Sequence, residues 1–393
     1  MSETKHVQYS VRGNRGESLL LPNDILLPCD GPWHLVRVPA TVANLGAGYD
    51  AVALALEPRE LIQCKCNCIV PATVANLGAG YDAVALALDE FSWFFFRRAE
   101  RDGVLNVTGA DCHLIPKEPS NHAFFQSADQ AAETLGFQRP PMEIIAHSDL
   151  PLRCGFGSSA AVRLAGVVAT HHLAERPLTR DEAFAAVARS EGHSDNAGAA
   201  TFGGLVCTAE DSMRSPRALC LPIPSPLPVS LQVLVPTIRK SSTMSMRSVL
   251  PLSVAQKDAT YNLQNLAMLV AGWMTGEVWA IKLGCRDRLH QQYRGPMTAG
   301  VNEVLSLGGH GDLLGATIAG AGPAILLLHR PGRPEACDEA LRVFGAFDAG
   351  ASLKQTNVSS GGYSLLTDLS TTDFHRPDPP KDQCCATESH AAA

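Results

Sequence analysis

Apolar and polar positions along the chain form two kinds of pattern. Some segments are short apolar runs, and others are longer segments in which apolar and polar residues are mixed as in a helix. The short runs predict the strands Val36–Val38, Glu90–Phe96, Met142–Ala146, Leu231–Val235, Leu314–Ile318 and Ala324–Leu328. The longer segments predict the helices Ser127–Leu135, Ser158–His172, Thr179–Ser190, Leu263–Met274 and Gly276–Leu289. Strands and helices mixed in this way indicate an α+β fold with two lobes.

Three segments lack such patterns and are interpreted as ends or connections. Residues 1 to about 32 are polar and interrupted by Gly and Pro, which predicts a loose arm. From about Thr371 onwards the chain is rich in proline and small residues, so we expect a tail with little to bury. The proline-rich stretch Leu221–Pro228 is predicted to connect the two lobes.

Composition excludes several classes of function. The formal net charge is −7, whereas a nucleic-acid surface needs clustered Lys and Arg, so no nucleic-acid partner is expected. No apolar stretch reaches the roughly 18 to 20 residues of a membrane span, and no secretory signal is recognisable. The 12 cysteines include the alternating CKCNC, but no paired C-x2-C zinc spacing is present. We therefore expect reduced cysteines in a cytoplasmic protein, with metal or redox chemistry at CKCNC as the alternative.

One stretch of sequence occurs twice without a change. VPATVANLGAGYDAVALAL runs from Val38 to Leu56 and again from Val70 to Leu88, an offset of 32 residues. A solenoid needs at least three stacked repeats, so two identical copies do not predict one. Each copy is interpreted as the first strand, the loop and the helix start of one lobe.

The sequence with the most chemical information is PLRCGFGSSAAVRLAG, Pro151 to Gly166. Its glycines allow positive φ and close backbone approach, and an Ala-rich helix follows the two serines. Amide groups at such a helix start can hold phosphate. A glycine turn that only caps a helix is the structural alternative. A Walker A loop is excluded because no lysine follows a glycine here, and a G-x-S-x-G elbow is excluded because Ala161 stands where glycine is needed.

These residues, with three further blocks, resemble the GHMP kinases, a group named for galactokinase, homoserine kinase, mevalonate kinase and phosphomevalonate kinase. PLRCGFGSSAA is similar to their P-x-x-x-G-L-G-S-S-A-A signature, and GATIAGAGPAILLL resembles their C-terminal glycine motif. PATVANLGAGYD, EGHSDNAGAATFGGL and RLHQQYRGP resemble the homoserine kinase family in particular. The likeness covers most of residues 69 to 330.

The resemblance implies a fold and an activity. The expected fold has an N-terminal lobe like ribosomal protein S5 domain 2 and a ferredoxin-like C-terminal lobe. The expected division is an N-terminal extension with a spare first motif (1–62), an ATP-binding lobe (63–228), a C-terminal lobe (229–368) and a disordered tail (369–393). The expected activity is ATP-dependent phosphorylation of the side-chain hydroxyl of L-homoserine, a step towards threonine. A homodimer is a further expectation.

For the nucleotide, the resemblance implies ATP and Mg²⁺. The expected ATP-binding residues are Pro151, Leu152, Arg153, Cys154, Gly155, Phe156, Gly157, Ser158, Ser159, Ala160 and Ala161. Ser159 and Glu191 are expected to hold Mg²⁺, because that ion takes oxygen ligands. A surface carboxylate at a helix end is the structural alternative for Glu191.

For the substrate, the family's motifs imply groups that suit a small zwitterion. Arg294 and Arg247 are the expected carboxylate clamp, since the guanidinium fork is bidentate, and Thr243 supports Arg247. Asp82 or Asp50 is expected to meet the ammonium group. The residues expected around the hydroxyl are Asn76 or Asn44, together with His193 and Asn196. No dedicated base is expected, because a loose phosphoryl-transfer transition state asks little of one.

Continuity of the chain favours the second copy, because Leu88 runs directly into a predicted strand. His34–Arg37, however, is the more family-like strand to precede a copy, and CKCNCIV has to replace it for the second copy to dock. The alternative functions are a kinase for mevalonate or threonine, and a non-catalytic binding protein inactivated by the duplication. Phe156, Ser194 and Ala319 depart from the family's usual Leu, Pro and Ser.

Overall fold

The computed structural model describes residues 10–12, 18–20, 34–38, 66–211, 218–224, 229–238, 243–347 and 350–366. Asn44, Asp50 and the rest of the first copy beyond Val38 lie outside the described residues, as do residues 367–393. Among the helices within the described ranges, none combines the length and the apolar character needed to cross a membrane.

Strands and helices are mixed along the chain, as the sequence predicts. The strands are β1 (Ser10–Arg12), β2 (Ser18–Leu20), β3 (His34–Val38), β4 (Cys66–Ala75), β5 (Val84–Arg98), β6 (Gly103–Gly109), β7 (Met142–Ser148), β8 (Leu205–Glu210), β9 (Ala218–Ile223), β10 (Ser230–Pro236), β11 (Leu313–Ile318), β12 (Ile325–His329), β13 (Ala351–Thr356) and β14 (Ser364–Leu366). The helices are α1 (Ala123–Thr134), α2 (Ser158–Leu173), α3 (Arg180–Glu191), α4 (Asp195–Phe202), α5 (Thr243–Ser248), α6 (Gln256–Thr275), α7 (Val278–Gly284), α8 (Gln291–Arg294), α9 (Val301–Leu307) and α10 (Asp338–Gly345).

The first lobe is built on a large sheet with the order β14-β3-β4-β5-β7-β6, and β8 and β9 continue it from β5. Helices α1 to α4 pack together against this sheet. Their shared core includes Phe96, Phe124, Leu164, Phe184 and Val187, all almost completely buried. Helix α2 approaches α1 closely at Gly166, where an added Cβ would be 2.2 Å from the Phe124 carbonyl oxygen.

The second lobe is an antiparallel sheet with the order β11-β12-β10-β13, with α9 and α10 packed on it. A separate apolar cluster joins the two sheets. It contains Val74 from β4, Leu326 from β12 and Trp273 from α6, and it also contains Cys154 and Phe156 from the glycine loop. That loop is therefore anchored in the core between the lobes, and the α+β, two-lobed prediction is confirmed.

The segment Val84–Leu88 is a strand, so the prediction of a helix start in the repeat is wrong. These five residues are all buried, and they form the first part of β5 between β4 and β8. A strand buried on both faces is a continuous apolar run rather than an alternating one. Such a run cannot be distinguished from a buried helix by periodicity alone.

The helix predicted over Gly276–Leu289 is also shorter than expected. Gly276 ends α6 with φ at 77°, and α7 ends at Gly284. Beyond it, the Asp287 carboxylate accepts hydrogen bonds from the backbone N–H groups of Leu289, His290 and Gln291. A side chain that bonds the backbone locally in this way competes with the helix. Of the predicted connection Leu221–Pro228, the first three residues belong to β9, and residues 225–228 lie outside the described ranges.

The strands that precede the two copies lie side by side. β3 pairs with β4 in parallel, with His34 opposite Cys66 and Val36 opposite Cys68, which is the same offset of 32 residues that separates the copies. Both strands also reach β5, where Val38 and Val70 are each aligned with Ser92. The strand preceding the second copy thus begins at Cys66, and the strand preceding the first copy is accommodated beside it.

Candidate active site

The glycine loop connects β7 to the start of α2, where Gly157 occupies the cap position with φ at 59°. It lies directly against a second glycine turn, between β11 and β12. Gly155 has φ at +96°, and a Cβ added there would be 1.8 Å from the Ala319 carbonyl oxygen. The Ala324 N–H donates to the Cys154 carbonyl over 3.1 Å. Only glycine fits this contact, and it holds the N-terminal amides of α2 at the junction of the lobes, where an anion can bind.

Two oxygen donors meet beside this helix start. Ser159, on the first turn of α2, donates a hydrogen bond of 2.5 Å from its hydroxyl to Oε1 of Glu191, the last residue of α3. A hydroxyl and a carboxylate suit Mg²⁺. The described residues include no group of three His, Cys, Asp or Glu side chains placed to hold a metal. Ser159 and Glu191 by themselves offer two oxygen ligands to a divalent cation.

The second copy of the repeat forms a tight loop between β4 and β5. Asn76 has φ at 57°, its Nδ2 donates to the Gly320 carbonyl over 3.0 Å, and its Oδ1 accepts from the Asp82 N–H over 2.8 Å. Asp82 in turn makes a bidentate ion pair with Arg247 of α5, at 2.8 and 3.0 Å. The chain therefore brings Asn76, Asp82 and Arg247 together with the glycine turn of the second lobe.

Arg294 is the most deeply buried arginine of this region, with 2% of its surface exposed. It donates to the carbonyl oxygens of Met246 and Gly320, each over 3.1 Å, and its guanidinium lies 5.3 Å from the centre of the Tyr81 ring. Within the described part of the chain, no carboxylate lies within 4.0 Å of it. Burial lowers the pKa of Arg294, and Asp82 and Tyr81 counter that effect only in part.

His193 and Asn196 approach the same region from the start of α4. The Asn196 Oδ1 accepts a hydrogen bond of 2.6 Å from the Thr73 hydroxyl on β4. His193 Nδ1 lies 2.7 Å from Asp195, and its Nε2 lies 3.7 Å from Glu191. Burial alone would lower the pKa of His193, but the hydrogen bond to Asp195 and the charges of Asp195 and Glu191 outweigh it and raise the pKa. A histidine that favours its protonated form is a poor general base.

The residues predicted from sequence thus form one connected set. Ser159 touches Glu191, Glu191 lies beside His193, Asn196 is tied to β4, and Asn76 and Arg294 donate to the same Gly320 carbonyl. The backbone of Thr243 lies on α5 one turn before Arg247, and its side chain is outside the described set. Asn44 and Asp50, the alternative copy, are also outside it.

Three further residues contact the predicted site residues and were not predicted from the sequence: Thr73, Tyr81 and Arg163. Tyr81 lies between the two arginines, with its hydroxyl 3.4 Å from Arg247 and its ring stacked 5.5 Å from His290. The sequence feature that could have identified Tyr81 was its position next to Asp82. Arg163 donates over 2.7 Å to Oε1 of Glu191. Its signal was its spacing, one helical turn after Ser159 in an otherwise apolar segment.

Comparisons with known proteins find kinases of this group among the relatives of the chain. The family model for the GHMP kinases N terminal domain matches residues 123–204. The chain is 36% identical to a homoserine kinase of Solibacter usitatus over 339 residues, which is 85% of this chain and 97% of that protein. It is 35% identical to a homoserine kinase of Thermus thermophilus, covering 78% of this chain and 90% of that protein.

Among solved structures, a homoserine kinase from Cytophaga hutchinsonii matches with a TM-score of 0.67 at 24% identity. The match covers 79% of this chain and all of that one, and it supports the two-lobed fold. The order of the motifs, the fold and the identity over most of its length together place this chain in the homoserine kinase family of the GHMP kinases.

Proposed function

We propose that the protein transfers the terminal phosphoryl group of ATP to the side-chain hydroxyl of L-homoserine, giving O-phospho-L-homoserine on the route to threonine. The observation that carries the substrate assignment is Arg294, a buried cation with no carboxylate partner among the described residues. A buried charge is stable only when a partner compensates it. The carboxylate of an amino acid is the partner that fits.

The ammonium group of the zwitterion is proposed to bind at the Asp82–Arg247 pair. Both side chains are about one-third exposed, so the pair lies at the accessible side of the site. The substrate's ammonium group meets Asp82, while its carboxylate lies between Arg247 and Arg294. Asp82 and Arg247 already balance each other before the substrate binds, so the charge that still lacks a carboxylate partner is that of Arg294, and the substrate carboxylate supplies this partner.

For the nucleotide, the loop from Pro151 to Ala161 and the amides at the start of α2 are proposed to hold the phosphates. Ser159 and Glu191 are proposed to hold Mg²⁺, which supplies charge neutralisation to the transferring group when it is bound. Asn76, His193 and Asn196 surround the substrate hydroxyl. The raised pKa of His193 supports a binding role rather than that of a dedicated base.

Kinases for mevalonate or threonine and a non-catalytic binding protein are not favoured. The relatives over most of the chain are homoserine kinases, and mevalonate has no ammonium group for Asp82 to meet. The second copy of the repeat supplies a complete set of partners in the site, so the duplication does not require an inactive protein.

The test is a coupled assay of ADP release with homoserine and ATP, in the wild type and in Arg294→Ala. Loss of a charge-assisted hydrogen bond of roughly 1.5–3 kcal/mol is expected to raise the homoserine KM about 10- to 150-fold. The ATP KM should stay nearly unchanged, which also shows that the variant is folded. Arg288→Ala is the matched control, because Arg288 lies six residues away and is paired outside the site with Asp258. Equal effects on both substrates would contradict the clamp.

The cellular compartment and the oligomeric state of the protein are part of the same proposal. We place it in the cytoplasm, and six of the cysteines within the described ranges are free thiols, as a reducing compartment would leave them: Cys112, Cys154, Cys207, Cys220, Cys285 and Cys337. We also propose a homodimer, supported by an exposed apolar surface on α6 that includes Leu263 and Met274.

A further inference from the structure

A third group contacts the Ser159–Glu191 pair. Arg163 donates from Nε to Glu191 Oε1 over 2.7 Å and lies 3.4 Å from the Ser159 hydroxyl. Its second nitrogen, Nη1, donates to the Ser190 hydroxyl over 2.8 Å. The Glu191 side chain is 7% exposed and that of Arg163 is 21% exposed, so this cluster is well shielded from solvent. The guanidinium is therefore firmly placed next to the two proposed metal ligands.

The position of Arg163 is unusual for a cation. It lies in the second turn of α2, and side chains on a helix lean towards its N-terminus, here back to Ser159. The N-terminal end of a helix favours anions, so a positive charge directed there is electrostatically unfavourable unless a carboxylate compensates it. Glu191 is that carboxylate, and the contact links α2 to the end of α3.

The same oxygen that Arg163 holds is the one a metal needs. Glu191 Oε1 accepts from both the Ser159 hydroxyl and the Arg163 guanidinium, while Oε2 faces His193 at 3.7 Å. Mg²⁺ binds its oxygen ligands at about 2.0–2.1 Å and needs a lone pair from each. A divalent cation placed between Ser159 and Glu191 therefore competes with the Arg163 guanidinium for the negative charge of Oε1.

We propose that Arg163 is a positioning residue for the metal–nucleotide complex, an inference that rests on the proposed function. Without the cation, Arg163 holds the Glu191 carboxylate against Ser159. When the cation and nucleotide bind, the cation weakens the hold of Arg163 on Oε1, and the guanidinium is close to the phosphates, whose oxygens are suitable acceptors. Arg163 thereby lowers the advantage that the cation brings to nucleotide binding.

The test compares nucleotide binding with and without a divalent cation, using calorimetry on the full-length protein. A non-hydrolysable ATP analogue is titrated once with Mn²⁺ and once with EDTA, and the ratio of the two Kd values measures the contribution of the cation. Removing the competing charge in Arg163→Met is expected to increase this ratio about tenfold. Arg163→Lys keeps a positive charge and should return the ratio close to that of the wild type.

Arg189→Met is the matched control. Arg189 is on α3 two residues before Glu191, is exposed, and contacts Thr134 rather than the carboxylate. This variant also removes one positive charge, from the helix that carries Glu191, and should leave the ratio unchanged. An unchanged or smaller ratio in Arg163→Met, or an equal increase in Arg189→Met, would overturn the proposal. Because homoserine is absent from this measurement, its outcome does not depend on whether the wild type phosphorylates homoserine.

Discussion

Asn76 shows how a single residue can meet several demands of the site. It adopts positive φ, which asparagine tolerates better than most residues with a Cβ. Its amide donates to Gly320 in the other lobe and accepts from the backbone of Asp82. The side chain is 5% exposed, so no water can readily replace either partner. It therefore sets the direction of the loop that carries Asp82.

Asn76→Ala is expected to lower the free energy of unfolding by about 1–3 kcal/mol, because it leaves the Asp82 backbone N–H without its partner and removes one of the two donors to the Gly320 carbonyl. The repeat provides an unusually close control, since Asn44 occupies the same place in an identical stretch of sequence. Asn44→Ala should change stability by less than about 0.5 kcal/mol. Urea unfolding of both variants measures this, and a larger loss in Asn44→Ala would assign the pocket to the first copy.

The resemblance of the motifs to a family was sufficient to predict that Asn76, Asp82, His193 and Arg294 lie in one region of the structure. It was not sufficient to predict the contacts within that region. Asp82 pairs with Arg247, which lies 165 positions further along the chain, and Arg163 pairs with Glu191 on another helix. Such contacts depend on how the elements pack, and local sequence carries no record of that.

At the scale of elements, α6 has one surface that the rest of the described chain leaves uncovered. Leu263 is 68% exposed and Met274 51% exposed, and Ala267 and Ala271 complete the same apolar face at helical spacing. No Asp, Glu, Lys or Arg occurs between Ala259 and Thr275. In a twofold dimer the same residues face each other, so a face without charge avoids like-charge repulsion. This supports a second copy of the chain as its partner.

A Leu263→Glu, Met274→Glu double variant is expected to be monomeric, because a twofold contact would bring its new carboxylates close together. Light scattering should give twice the chain mass of 41.8 kDa for the wild type and a single chain mass for the variant. Leu221→Glu is the control, since Leu221 is 64% exposed but lies on β9 of the other sheet. A monomeric wild type would contradict the proposed dimer.

Clear apolar patterns predicted many of the long elements, whereas several strands and helices, among them β6, β13 and α4, were not predicted. Two of the wrong assignments share a cause. The core helices α2 and α3 begin and end close to the predicted positions, because glycine, Thr179 and Gly192 mark their ends in the sequence. Val84–Leu88 forms a strand because it pairs with β4 on one side and with β8 on the other. The predicted helix does not continue beyond α7, because the Asp287 side chain accepts hydrogen bonds from the backbone that follows it. In both cases tertiary or side-chain contacts override the local pattern.

At the scale of the whole molecule, the junction between the sheets contains a buried lysine. Lys354 on β13 is 1% exposed, and its ammonium has no hydrogen-bond partner among the described residues. Burial lowers its pKa to about 7, although the charges of Glu90 and Asp149 act in the opposite direction. Asp89 donates from its backbone to Asn357 close by, so this is a point where the two lobes are joined.

Lys354 makes stability depend on pH in a defined direction. Between the folded pKa near 7 and the ordinary value of 10.5, the unfolded chain binds the proton more tightly than the folded one. Stability supplied by this group therefore rises with pH in that window, by up to about 1.4 kcal/mol per pH unit. Lys354→Met should remove the rise, so its stability advantage over the wild type shrinks from about pH 7 to about pH 9.

Urea unfolding at the two pH values measures this difference. Lys257→Met, at an exposed position on α6, is the control and should shift stability equally at both pH values. A difference between Lys354→Met and the wild type that does not change with pH would contradict the prediction.

The parallel alignment of β3 and β4 at the offset of the repeat has a consequence for folding. Two segments followed by identical sequence can reach the same position opposite Ser92 on β5. The loop closed by Val38 is about two and a half times as long as the loop closed by Val70, which costs only about 0.8 kcal/mol more in loop-closure entropy. Chain connectivity alone therefore favours the second copy only about fourfold when the folding chain pairs one of the two copies with β5. Lasting selection of that copy comes from the contacts that fix it afterwards, Asn76 with Gly320 and Asp82 with Arg247.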